Sequence, residues 1–298
     1  MTISTSSFFD RSAKAMASIS ARADRVSTQI SSRQNLLAPS DDSVAYQRLQ
    51  GLARAGANDT AYRGNLAVAA SVLAQSDSTL TAITNQLQQA TELATRAANG
   101  TLTATDRKTI GDQLAGIVEQ LAGLANTVDA RGEPLFGGAD GGAGAIKQPD
   151  GSYLLASVPV STVPVGDGQV VQANETAARI FAVGGGKDAL AVIAQLAAAL
   201  QAGDATTDAA NSAIDDLVGA TDTVANIQGS IGARAARIDL MMTDLKTVAV
   251  DREASEAAID GYDDTAAILE LQKTMTILSA TQASFGKLSQ LSLFDYLR

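Results

Sequence analysis

Two stretches of this chain of 298 residues carry helical periodicity over far more residues than an ordinary globular helix contains. One covers residues 41–98, and the other begins at about Thr207 and continues beyond residue 245. Soluble helices average about 11 or 12 residues, and a pattern beyond about 25 residues is typical of a coiled coil, a membrane span or a helical repeat. No repeat of fixed length is visible, and the longest apolar stretch, 189–200, is interrupted by Gln195 and too short to cross a bilayer. The pattern therefore predicts a mainly α fold, built as a coiled-coil rod of long helices.

The first helix is expected to end near Asn35, where the periodic pattern stops. Ser40 is the predicted N-cap of the second helix, because serine accepts hydrogen bonds from the free N–H groups of a first turn. Asp41 and Asp42 would follow in that turn, where negative charge is favourable. This electrostatic role explains the two carboxylates better than a catalytic pair does.

Later signals place the remaining helices. Thr103 and Asp106 predict a capping box before a helix whose apolar stripe runs from Ile110 to Val128. A short alanine-rich helix is predicted over 187–200, and Gly261 is expected to loosen the last long helix.

Residues 137–186 follow a different pattern, with glycine clusters, three of the five prolines and short alternating runs. Such sequences favour short strands joined by tight turns. The expected fold is therefore a long-helix rod, formed by the N- and C-terminal segments, with a small β-rich domain inserted in the middle. The predicted domains are a terminal coiled-coil polymerisation domain (1–40 and 255–298), a helical rod domain (41–136 and 187–254) and a β-rich outer domain (137–186).

Composition argues against catalysis. The chain has no histidine and no cysteine, so it lacks the usual general base near neutral pH, the usual thiolate nucleophile and the strongest zinc ligands. We expect no enzyme activity, no cofactor and no metal site. A net charge of −10 disfavours nucleic acid and anionic membrane as partners. Residues 1–25 are polar and lack the apolar core of a signal peptide, so export would need no cleaved signal.

Two further patterns suggest ligand sites only superficially. The glycine run before Lys187 departs from a phosphate-binding loop, because Phe181 and Asp188 stand where glycine and serine or threonine are required. A flexible hinge is the preferred interpretation. Asp260, Asp263 and Asp264 lack the central glycine and distal glutamate of a calcium loop, so a solvated helix face is expected there.

The two ends of the chain carry matching apolar seams, at steps of three and four residues. Each seam is rich in alanine, serine and threonine, and a buried leucine contributes only about 1.5–3 kcal/mol against about 1–2 kcal/mol of backbone entropy per ordered residue. We therefore expect the ends to order only when neighbouring chains complete their contacts. The predicted contact residues are Phe9, Met16, Ile19, Val26, Ile30, Ile268, Leu271, Met275, Leu278, Phe285, Leu291, Leu293 and Phe294.

Four segments in order resemble the flagellin superfamily. Residues 30–44 (ISSRQNLLAPSDDSV) are similar to its helix–break–helix around a Ser/Asp-Asp pair, and 92–101 (ELATRAANGT) to its segment between the second and third helices. Residues 124–138 (LANTVDARGEPLFGG) and 291–297 (LSLFDYL) are similar to the hook–filament junction members of that superfamily. The resemblance covers nearly the whole chain.

The resemblance implies a structural subunit of the bacterial flagellum, an adaptor that joins hook to filament. It implies self-association in a ring, contact with a hook-side junction protein and with filament flagellin, and an extracellular location. It also implies export through the flagellar type III apparatus with a chaperone. Two alternatives remain open: a filament flagellin, and a coiled-coil signalling protein or secreted enzyme.

Overall fold

The computed structural model describes the backbone of residues 2–296 and the side chains of residue 7 and residues 9–287. Within these residues the chain is mainly helical, with a small strand-containing segment after the third helix, as predicted. The helices are α1 Thr2–Ser32, α2 Ser43–Ala97, α3 Ala104–Ala125, α4 Ala177–Ile180, α5 Ala189–Ala202, α6 Thr207–Asp260 and α7 Asp264–Tyr296. The strands are β1 Ala145–Lys147, β2 Tyr153–Leu155, β3 Thr162–Gly166, β4 Gln169–Gln172, β5 Ala182–Gly184 and β6 Lys187–Asp188.

Contacts between Cα atoms divide the chain into two compact units. One combines residues 1–58 with 247–298, and the other consists of residues 59–246. The long helices α2 and α6 contribute residues to both units. The three-domain division expected from the sequence stays a prediction.

The unit of residues 59–246 contains the large apolar core. Fully buried leucines of α2, among them Leu66, Leu73 and Leu87, join buried residues of α3, α5, α6 and the strand-containing segment in one cluster. Helix α3 packs on α5, and Gly111 permits the close approach. A Cβ atom at Gly111 would lie 2.8 Å from the backbone oxygen of Ala197, so no larger residue fits there without a shift.

The predicted capping box at the start of α3 is confirmed. The Thr103 hydroxyl accepts a hydrogen bond from the Asp106 N–H (3.2 Å), and the Thr103 N–H donates to the Asp106 carboxylate (3.4 Å). The predicted end of this helix is wrong, because α3 stops at Ala125 and leaves Val128 outside it, 47% exposed. The Asn126 side chain instead exchanges two hydrogen bonds of 2.8 Å with the backbone of Ala145 in β1, which takes the chain out of the helix.

The six strands form three separate antiparallel pairs: β1 with β2, β3 with β4, and β5 with β6. Ile146 faces Leu154 in the first pair, and Val163 faces Val171 in the second. The third pair replaces the hinge expected at the glycine run. Gly184, Gly185 and Gly186 have φ angles of 91°, 61° and 77°, and they form a tight hairpin turn that residues with a Cβ adopt only under strain.

The expected N-cap of α2 is also wrong. Helix α2 begins at Ser43, and the residue that caps it is Asp42, whose Oδ1 accepts hydrogen bonds of 2.9 Å from the N–H groups of Val44 and Ala45. Ser40 lies outside the helix, within the turn that precedes it. From Ser43 the helix continues to Ala97, through all three of its glycines, without interruption.

By length and composition, one helix among the described residues, α2, meets the minimum for crossing a membrane. In the most apolar 18-residue stretch of α2, 44% is buried inside the protein. Core helices of soluble proteins satisfy the same criterion.

Candidate assembly interface

The two ends of the chain pair as antiparallel helices. Near one end of the pair the rings of Phe9 and Phe285 meet edge to face, with centroids 5.4 Å apart and planes at 88°. Further along, a guanidinium nitrogen of Arg22 lies 2.5 Å from a carboxylate oxygen of Glu270. Numbering increases along α1 from 9 to 22 while it decreases along α7 from 285 to 270, which gives the antiparallel direction.

The apolar stripe predicted on α1 lies on one side of that helix. Val26 is buried, together with Ala23, and the other four predicted residues are half-buried. These four are Phe9, Met16, Ile19 and Ile30.

On α7 the predicted residues divide into two groups. Leu271, Leu278 and Phe285 are half-buried, whereas Ile268 and Met275 are 46% and 53% exposed. The buried position between Leu271 and Leu278 is Thr274, which lies one residue before the predicted contact Met275. Leu291, Leu293 and Phe294 lie outside the residues whose side chains are described.

The α1–α7 pair has little buried apolar surface. Among the described side chains of these two helices, Ala23, Val26 and Thr274 are buried, and none of them is a large aliphatic or aromatic residue. The core cluster described above belongs entirely to residues 59–246. Helix α7 also exposes large apolar side chains, which are Ile268, Leu269, Met275 and Ile277, at 45–65%. An assembly in which neighbouring chains cover these side chains would remove apolar surface from water.

A carboxylate from the far end of the sequence holds the connection that follows α1. Asp260, the last residue of α6, accepts hydrogen bonds of 3.0 Å from the backbone N–H groups of Asn35 and Leu36. Arg33, with φ 55°, turns the chain just before them. The solvated helix face expected at Asp260 is therefore wrong, because its partners are 224 and 225 residues away in sequence and no local pattern reports them.

The neighbouring acidic residues have structural roles too. Asp263 caps α7 by accepting hydrogen bonds from the N–H groups of Thr265 (2.8 Å) and Ala266 (3.1 Å). Gly261, with φ 56°, separates α6 from α7, as its position suggested.

Asp41 also binds the connection between α1 and α2. Its Oδ2 accepts hydrogen bonds from the N–H groups of Leu37 (3.0 Å) and Ala38 (3.1 Å), and its Oδ1 lies 2.6 Å from the Arg25 guanidinium. Partial desolvation of this carboxyl tends to raise its pKa. The backbone donors and Arg25 outweigh that effect, so the pKa of Asp41 lies below its ordinary value of 3.8.

Comparison with known proteins shows what the chain resembles. Residues 3–140 match the model of the bacterial flagellin N-terminal helical region. The chain is 29% identical over 181 residues to flagellar hook-associated protein 3 of Salmonella typhimurium, a match that covers 61% of this chain and only 57% of the relative. It is 24% identical to flagellar hook-associated protein 3 of Escherichia coli, over 99% of both chains.

The fold is also similar to that of a solved structure. The crystal structure of flagellar hook-associated protein 3 from Legionella pneumophila aligns with a TM-score of 0.62, over 74% of this chain and 99% of that one, although only 13% of residues are identical. The chain therefore contains a region that matches the flagellin N-terminal helical region, and it is similar in sequence and fold to flagellar hook-associated protein 3.

Proposed function

We propose that this chain is a structural subunit of the bacterial flagellum, an adaptor that joins the hook to the filament, and that it has no catalytic role. The observation that carries the proposal is the α1–α7 pair, which buries little of its own apolar surface and exposes large apolar residues on α7. A self-sufficient domain would bury such residues, whereas a subunit that assembles through its ends leaves them for its neighbours.

In this proposal, copies of the chain associate side by side in a short ring. One side of the ring contacts the hook-side junction protein and the other contacts filament flagellin. An export chaperone holds the chain until it passes through the flagellar export apparatus. Similarity to hook-associated protein 3 over the whole chain supports this location and these partners.

The experiment that tests the proposal is electron microscopy of flagella from a strain that lacks this gene. The adaptor function predicts hooks that end without filaments, and filament protein released into the medium. Complementation with the intact gene should restore the filaments. Normal filaments in the deletion strain would contradict the proposal.

A filament flagellin is the alternative function, since it would use the same terminal helices. The two functions differ in abundance, because a filament subunit polymerises without a fixed limit and an adaptor occupies a single short zone. Quantitative mass spectrometry of sheared flagella distinguishes them: a trace component is the adaptor, and the main component is the filament subunit.

A further inference from the structure

A groove of about 450 Å³ lies beside the connection between α1 and α2, within the unit formed by residues 1–58 and 247–298. Its apolar lining comes from the connection, the first turns of α2 and one residue of α6: Leu36, Leu37, Tyr46, Leu49, Ala53 and Ala257. Two carboxylates of α6, Glu253 and Glu256, line the same groove. The groove therefore combines an apolar surface with negative charge.

No ion pair among the residues with described side chains neutralises the two glutamates of this groove. Among the described residues, neither Glu253 nor Glu256 takes part in an ion pair, and Glu256 is half-buried. The third acidic residue of the groove, Asp260, is already occupied by the backbone of Asn35 and Leu36. A partner that brings cations on aliphatic stems would satisfy both the carboxylates and the apolar lining.

Helix α1 presents such a surface. Arg11 and Lys14 are exposed and three positions apart, which is also the spacing of Glu253 and Glu256 on α6. Side chains with this spacing are neighbours on a helix, about 5–6 Å apart, so the two pairs can meet face to face. In the part of the chain with described side chains, neither cation has a carboxylate within ion-pair distance, and Arg11 donates to the backbone oxygen of Ser7 (3.0 Å).

The α1 that enters the groove must come from another copy. Lys14 precedes the end of its own helix at Ser32 by 18 residues, or about 27 Å along the axis, and the groove begins after that end. Charge supports a contact between unlike ends of two copies. Residues 1–58 carry seven basic and four acidic residues, and residues 247–298 carry four basic and eight acidic residues.

We propose that the groove binds the Arg11–Lys14 surface of α1 from a neighbouring copy of this chain, with Lys14 paired to Glu256. This inference rests on the proposed function and names the contact that orients adjacent subunits. The surfaces involved are different on the two copies, so the contact is heterologous, and a heterologous contact repeats around a ring when its rotation closes.

Cysteine cross-linking tests the contact directly, because the natural chain contains no cysteine. Cells that lack the natural chain would express two single-cysteine variants together, Lys14→Cys and Glu256→Cys. Their purified flagella would be treated with a short bismaleimide, which joins two thiols across the length of an ion pair, and separated on a denaturing gel, because a direct disulfide needs the two Cα atoms within about 7 Å. We expect a covalent dimer at twice the mass of the chain, which is absent when either variant is expressed alone.

The matched control replaces Lys14→Cys with Asp24→Cys, an exposed position of α1 about 15 Å further along the helix. It should give no dimer with Glu256→Cys. Absence of the Lys14–Glu256 dimer in flagella that contain both variants, or equal dimer from the control, would overturn the groove contact and leave the proposed function intact. Absence of the natural chain from purified flagella would overturn both.

Charge reversal gives a second measurement that does not depend on cross-linking. Glu256→Lys should strongly reduce the amount of chain in purified flagella, and addition of Lys14→Glu should restore it. The Lys14→Glu/Glu256→Lys chain also controls for folding, since it carries both substitutions. Normal incorporation of Glu256→Lys alone, or no recovery in the double variant, would contradict the pairing.

Discussion

At the scale of single residues, Glu175 is a buried carboxylate that two arginines bind. Its side chain is 3% exposed, and each carboxylate oxygen is met by a different arginine: Arg179 at 2.8 Å and Arg234 at 2.5 Å. Arg234 also donates to the backbone oxygen of Gln172 (2.8 Å), so it connects the loop after β4 to α6. A buried carboxylate without such partners would destabilise the fold.

Replacement of Arg234 by methionine is predicted to destabilise the monomer by about 1.5–3 kcal/mol, because Glu175 would keep only one of its two charged donors. Urea denaturation of the purified chain measures this loss. The matched control is Lys108→Met, which removes an exposed pair with Asp112 and should change the free energy of unfolding by no more than about 0.5 kcal/mol. Equal effects of the two substitutions would contradict this role of Glu175.

Asp129 makes stability depend on pH. Burial of its carboxyl favours the neutral form. The carboxylate accepts hydrogen bonds from the Arg131 side chain and from the N–H groups of Glu133 and Arg131, and the charge of Arg131 also favours the ionised form. These interactions outweigh the effect of burial, so the pKa of Asp129 lies below its ordinary value of 3.8. A lowered pKa means that the folded chain prefers the ionised form, so this stabilisation is complete above about pH 5 and is lost progressively as the pH falls further.

The Asp129→Asn variant tests this dependence. It should be less stable than the natural chain at about pH 6, and the difference should shrink as the pH is lowered to about 3, because the natural carboxyl then becomes protonated. Urea denaturation across this range gives both curves. A difference that stays constant with pH would show that the ionised form of Asp129 does not stabilise the fold.

At the scale of secondary-structure elements, the ends of helices that depend on nearby residues could be predicted from the sequence. The start of α6 at Thr207, the capping box of α3 and the break at Gly261 all follow from signals within a few residues. Ser40, Asp41 and Asp42 stand in a row, and any of their side chains can cap a helix, so the local sequence does not distinguish them. The selection of Asp42 depends on Asp41, whose carboxylate is already taken by Leu37, Ala38 and Arg25.

Elements fixed by distant contacts could not be predicted from local sequence. Val128 continues the apolar spacing of α3, but the pairing of Asn126 with Ala145 ends that helix three residues earlier. The strands are two to five residues long, which is too short for alternation to specify their register. The family resemblance predicted that a β-rich segment follows this position, but not how its strands pair.

The α1–α7 pair carries a prediction at this scale. Leu278→Asp places a charge on the half-buried side of α7 and should abolish incorporation of the chain into flagella. The free energy of unfolding of the monomer should change by less than about 0.5 kcal/mol, because α7 contributes nothing to the core of residues 59–246. Leu154→Asp, at a leucine that is 60% exposed on β2, is the matched control and should assemble normally. Assembly of Leu278→Asp at the natural level would contradict this role of α7.

For the whole molecule, the main feature is the unequal distribution of buried apolar surface between the two units. Residues 59–246 have a continuous core, whereas α1 and α7 are joined by three small buried residues, half-buried apolar side chains, one aromatic contact and one ion pair. Backbone order costs about 1–2 kcal/mol per residue, which such contacts offset poorly. We therefore expect the terminal helices to become stable only when neighbouring subunits cover them.

Hydrogen exchange measured by mass spectrometry tests this claim most directly, on the dilute monomer and on the assembled flagellum. In the monomer, amides of residues 9–32 and 264–287 should exchange within seconds while those of residues 66–94 stay protected, and in the flagellum both terminal segments should become protected. Terminal segments as strongly protected in the monomer as residues 66–94 would contradict the account.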